Sequence, residues 1–218
     1  MTSKWVRLVA EQRHYSVDWR FISLRVVNEN VDYDAQFPPE YAALHISGMK
    51  LLRVAAAVRA AHGRPAVGDY YATLGATVWD SDRAWSNPGD PALVRAVLSS
   101  AGLPVELTDS LENDSFDDVL RQETGEALTL TGKDVGTPIL HFQPPDGVAF
   151  FGPVISRLPN REQALELWEH VIGLAQFGGF SELKRSLREL PQLRALGVRE
   201  DEVGVQEDWH GGSRKLKK

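Results

Sequence analysis

The chain has 218 residues, 43% of them hydrophobic and 25% charged, with 18 glycines and 12 prolines, which matches a folded globular protein and excludes collagenous or disordered chains. The net charge is −6, and the basic residues are scattered until Arg214-Lys215-Leu216-Lys217-Lys218. There is therefore no basic face for nucleic acid, and the basic end has no acyl chain or apolar helix face to join it at a membrane. No cysteine is present, which excludes a disulfide framework, a thiolate metal site and a thiol nucleophile carried by this polypeptide.

The opening Met1-Thr2-Ser3-Lys4-Trp5 lacks the apolar run of a secretory signal, and no stretch reaches the roughly 18 apolar residues of a membrane span, so a cytoplasmic setting is expected. Trp5, Leu8 and Val9 lie at helical spacing, and Thr2 or Ser3 is positioned to cap a first helix over 3–12. From Val17 to Leu24, Val17, Trp19 and Phe21 alternate with Asp18 and Arg20, which predicts a strand with a bend before the polar loop Asn28-Glu29-Asn30.

Pro38-Pro39-Glu40 opens a long amphipathic helix through Leu44, Leu51, Ala55, Val58 and His62, stopped by Gly63. Further helices are predicted over 67–78, 90–101 and 115–126, with Ser86-Asn87-Pro88-Gly89 as one of the turns between them. After Gly136-Thr137-Pro138, Ile139-Leu140-His141-Phe142 and Val148-Ala149-Phe150-Phe151 read as a β-hairpin. Asn160 caps a helix whose Ala164, Trp168, Val171 and Ala175 share a face, and Phe180, Leu183, Leu187 and Leu190 predict one more. Residues 196–218 form a polar tail, expected to be poorly ordered over its last 15 or so residues.

The six histidines, His14, His45, His62, His141, His170 and His210, show no metal-ligand spacing, and no metal site is expected. His141 reads as a partly buried, hydrogen-bonded residue of the hairpin rather than a catalytic one. Glu11 with Asp18, and Asp117-Asp118, read as surface charge, and no nucleophile elbow or phosphate loop is found.

The element order, together with Ser23-Leu24-Arg25-Val26-Val27-Asn28-Glu29-Asn30, Asp134-Val135-Gly136-Thr137-Pro138 and Val148-Ala149-Phe150-Phe151-Gly152-Pro153-Val154-Ile155-Ser156-Arg157, resembles the mycothiol-dependent, DsbA-like reductases of the thioredoxin superfamily. The likeness spans nearly all of residues 2–190. It implies an α/β, thioredoxin-like fold with its first strand missing, one domain over 1–195 and a helical insertion over about 38–127.

The resemblance further implies a cis peptide before Pro138, Thr137 offering its backbone to an extended substrate, and mycothiol or another low-molecular-weight thiol as co-substrate with no bound cofactor. Asn28, Tyr41, Trp79, Gly136, Thr137 and Pro138 become the expected substrate-binding residues. The plain alternative for the first three is a turn asparagine, a core tyrosine and a core tryptophan. No catalytic residue is assigned, because the family's Cys-Pro-Trp-Cys motif and the strand bearing it have no counterpart here.

By the resemblance Met1 falls just beyond the second cysteine, which predicts a start placed too late and a chain inactive in thiol–disulfide exchange as written. Two other readings stay open. One is a relative of kappa-type glutathione transferases and isomerases, which use a serine in place of the first cysteine, although Thr2 and Ser3 lie too far into the helix to be that serine. The other is a non-catalytic binding protein that pairs with a partner, or with itself, through the sheet edge left exposed.

Overall fold

The computed structural model describes residues 1–37, 39–82, 87–132, 135–183, 187–204 and 206–208. The chain is α/β and mostly helical. In chain order it forms α1 (Thr2–Arg13), α2 (Leu24–Val27), α3 (Tyr33–Gln36), α4 (Pro39–Trp79), α5 (Pro91–Ser100), two 3-10 stretches over Val105–Glu112 and Asp114–Phe116, and α6 (Asp117–Thr131). Then come β1 (Ile139–His141), β2 (Ala149–Phe151), α7 (Arg161–Gln176), β3 (Leu187–Glu189), a 3-10 turn over Arg194–Leu196, and β4 (Gln206–Asp208). The predicted positions Pro38, Ser86, Asp134 and Arg214 to Lys218 lie outside the described residues.

Two compact units divide the chain, one of Met1–Val17 with Gly136–Lys218 and one of Asp18–Val135. In the first, α1 turns Trp5, Val6 and Val9 inward against α7. The Trp5 indole N–H donates to the Ala164 carbonyl at 2.9 Å, and its ring meets Trp168 edge-on at 5.4 Å, as Phe142 also does. Burying an aromatic of this size contributes about 1.5–3 kcal/mol, and its one polar atom must find a partner.

Neither Thr2 nor Ser3 caps α1: the N-cap is Met1, without a side-chain hydrogen bond, and the Thr2 hydroxyl donates instead to the Pro153 carbonyl at 2.8 Å. A long-range acceptor has taken the predicted cap. At α7 the local signal holds, since Asn160 and Gln163 form a reciprocal capping box.

The hairpin pairs β1 with β2 in the register Ile139↔Phe151, Leu140↔Phe150 and His141↔Ala149. Its turn requires Gly147, because a Cβ there would sit 1.7 Å from the Phe142 carbonyl oxygen. The predicted helix over 180–190 does not form in the described residues. Residues 187–189 are instead strand β3, antiparallel to β4. Phe180 stacks on Phe150 at 5.8 Å, while Leu183 of the same apolar set is exposed.

The second unit is helical around a core that includes Val54, Val58, Val67, Tyr70, Val94, Val97, Leu98 and Leu120. The predicted stop at Gly63 is present: the span α4 is two helices meeting at a kink there, where φ is 82 and ψ 176. Glycine adopts that φ without the Cβ penalty, and Pro65 falls in the first turn beyond the break, where its missing N–H costs little.

The expected strand over 17–24 alternates in burial through Ser23 but pairs with no strand among the described residues, and α2 begins at Leu24. Its ladder is made by side chains of α6: the Phe21 N–H donates to Glu123 Oε2 at 2.8 Å and the Ser23 N–H to Thr124 Oγ1 at 3.0 Å. Alternate residues facing one way explain the strand-like sequence pattern.

Candidate functional site

Three elements of the second unit converge on one set of rings. The α6 bonds fix the end of the 17–23 segment, and Ser23 then caps α2 by accepting from the Val26 N–H. Asp32 caps α3, accepting from the Asp34 and Ala35 N–H groups. These caps set Arg25 and Tyr33 against the start of α4. Tyr33, Phe37, Tyr41 and His45 recur every fourth residue, with centroids 5.2 Å apart for Tyr33 and Phe37, 5.6 Å for Phe37 and Tyr41, and 5.8 Å for Tyr41 and His45.

Phe37 and Tyr41 are nearly parallel, at 8°. The Tyr33 hydroxyl lies 2.8 Å from His45 Nδ1, and the Arg25 guanidinium sits 5.0 Å from the centre of the Tyr33 ring. Each such ring pair adds about 0.5–1.5 kcal/mol beyond its buried area. All five side chains are half-buried, so the set forms a partly open shelf and not a sealed core. Burial first, and then the charge of Arg25, hold the His45 imidazolium below its ordinary pKa, so the ring is neutral near pH 7.

Of the expected site residues, Tyr41 is in this shelf. Asn28 ends α2, the helix that carries Arg25, and its amide donates to the Leu24 carbonyl at 2.8 Å. Trp79 is not there: it ends α4, 45% exposed, and makes no ring contact among the described residues.

Gly136, Thr137 and Pro138 belong to the first unit, at the entry to β1. The Thr137–Pro138 peptide is cis, Thr137 is exposed, and the Pro138 carbonyl accepts from the Gly152 N–H at 2.8 Å. A Cβ at Gly136 would meet the Phe151 ring at an ordinary 3.7 Å.

Arg25, Tyr33, Phe37 and His45 are not among the expected site residues. Their signal is present all the same, as an aromatic or imidazole ring at 33, 37, 41 and 45. It is obscured because the ladder crosses the break between α3 and α4.

A separate cavity of about 450 Å³ is lined by Ala56, Arg59, Ala60, Gly63, Arg64, Phe116 and Val119. Its guanidinium groups already face carboxylates, Arg59 with Glu123 and Arg64 with Asp18, so it carries little net charge for an anion. Among the described residues no group of three histidines or carboxylates is placed to hold a metal, and no helix is long and apolar enough to cross a membrane.

The chain is α/β, with a Thr-Pro step leading into a hairpin and a helical unit. Residues 1–185 match the Rv2466c-like family, described as the mycothiol-dependent nitroreductase Rv2466c, and the chain belongs to that family. A relative, the uncharacterized protein Rv2286c of Mycobacterium tuberculosis (strain ATCC 25618 / H37Rv), is 28% identical over 185 residues, covering 84% of this chain and 75% of its own length. The family is one of low-molecular-weight-thiol-dependent reductases.

Proposed function

We propose that this chain is a DsbA-like, thioredoxin-fold reductase component that takes mycothiol as co-substrate, with residues 38–127 as a helical insertion in one domain over 1–195. The observation that carries the reading is the match of residues 1–185 to a mycothiol-dependent family. The chemistry of the second unit fits such a ligand. Outer faces of Phe37 and Tyr41 pack against sugar rings, the Asn28 amide oxygen and the Tyr33 phenol accept and donate hydrogen bonds, and Arg25 favours a thiolate. Thr137, in the first unit, offers its backbone to an extended substrate.

Mycothiol, when bound, supplies the sulfur. The chain's own residues bind and orient it, and none of the 218 residues is a cysteine. The polypeptide alone is therefore read as binding the thiol without carrying out disulfide exchange, in a cytoplasmic setting consistent with a reduced thiol pool.

Calorimetric titration with mycothiol, and with glutathione in parallel, tests the reading. Saturable 1:1 binding of mycothiol, weakened about tenfold by Asn28→Ala or Tyr41→Ala, is expected, since about 1.4 kcal/mol of lost contact is tenfold in affinity. No binding of mycothiol to the folded chain would overturn it.

A further inference from the structure

We propose that His45 is the base that ionises the low-molecular-weight thiol bound on this shelf, with Tyr33 as its positioning residue and Arg25 flanking the sulfur. The inference rests on the thiol-dependent reading above and assigns a chemical step to residues outside it.

The need for a base comes from composition. An ordinary thiol has a pKa of about 8.5 and is only a few per cent thiolate at pH 7, and thiolate is the reactive form. None of the 218 residues is a cysteine, so the thiol at issue is that of the bound ligand. The shelf holds one imidazole, and its Nδ1 is engaged by the Tyr33 hydroxyl at 2.8 Å. No other hydrogen bond is made to that ring among the described residues, which leaves Nε2 without a partner there.

In the tautomer that carries hydrogen on Nδ1, the imidazole donates to the Tyr33 oxygen and Nε2 presents a lone pair. The groups facing His45 are Arg25 from α2, Tyr33 from α3 and Tyr41 one turn earlier on α4, with Phe37 between, and no carboxylate forms an ion pair with it among the described residues.

The step is a proton transfer. The S–H bond breaks, its electron pair stays on sulfur, and the proton forms an N–H bond at Nε2, so that neutral thiol and neutral imidazole become thiolate and imidazolium. Nothing is oxidised or reduced. Arg25 disfavours the imidazolium by itself but attracts the thiolate, so the charge-separated pair is favoured only when sulfur is in place.

The absence of cysteine makes the test clean, because thiolate absorbance near 240 nm and alkylation by iodoacetamide report only the added thiol. With mycothiol at saturating protein, the wild-type chain should lower the midpoint of thiol ionisation by about one pH unit and raise alkylation at pH 7 several-fold. His45→Gln should return both to their values in free solution while calorimetry finds affinity within about threefold of wild type. Tyr33→Phe should keep the base and move its midpoint.

A second measurement needs no variant: in the wild type, imidazole 15N shifts of His45 should move toward the imidazolium on adding mycothiol, and not on adding its S-methyl derivative. Bound thiol that ionises at its free-solution pH, or His45 shifts that do not respond, overturns the inference while the binding reading stands. No binding at all overturns both.

Discussion

Glu123 shows how one buried carboxylate can organise a segment that has no sheet to join. It is 5% exposed, accepts the Phe21 N–H, and meets Arg59 at 2.6 Å and Arg20 at 3.3 Å. Removing it leaves a guanidinium and a backbone donor short of a partner in a dry setting. Glu123→Ala should therefore cost about 3–5 kcal/mol, read as a lower urea midpoint, whereas Thr124→Val should cost about 1 kcal/mol by removing one neutral acceptor.

His45 gives a pH signature at the same scale. Its folded pKa lies below the usual 6.5, so the unfolded chain binds more protons between the two values, and stability rises with pH across that window. Put the other way, its contribution is complete above about pH 6.5 and is lost as pH falls toward the folded value. The wild-type chain should lose more Tm between pH 7.5 and 5.5 than His45→Gln does. Equal losses would show that burial and Arg25 do not act on the ring as described.

Among elements, α4 depends on a single backbone exception. A Cβ at Gly63 would meet nothing closer than Pro65 Cδ at 3.8 Å, so space is not the obstacle; the φ of 82 is. Gly63→Ala should cost about 1–2 kcal/mol in chemical denaturation, all of it conformational. An unchanged midpoint would mean that the two halves of α4 can straighten without penalty.

The same scale explains where pattern reading met its limit. Residues 17–23 have the alternation of a strand, yet the amide partners of Phe21 and Ser23 are side chains a hundred positions away. Phe180, Leu183, Leu187 and Leu190 have helical spacing, but antiparallel pairing of 187–189 with 206–208 supplies backbone partners that a helix would otherwise provide. By contrast, α5, α7 and the hairpin were legible because caps, turn glycines and apolar faces agreed locally, whereas α6, which has no side-chain cap, runs to Thr131, past the expected end at 126.

At the scale of the molecule, the Asp18–Val135 unit contains a hydrophobic core drawn wholly from its own residues. A fragment of those residues should fold alone, with a cooperative thermal transition by circular dichroism and the mycothiol affinity of the shelf retained. A non-cooperative melt would show that the core needs the rest of the chain.

Composition and order alone determined that the chain is globular, that it has no thiol of its own, and that a helical stretch precedes a Thr-Pro hairpin. Those features rest on residue identity and on interactions within a few positions. Only the tertiary structure decided that Thr2 binds Pro153 rather than capping α1, that Glu123 and Thr124 stand in for a strand, and that Trp79 lies apart while Arg25, Tyr33 and His45 meet. Each depends on which distant group satisfies a donor or covers a ring, and such a choice is settled only when the chain has packed.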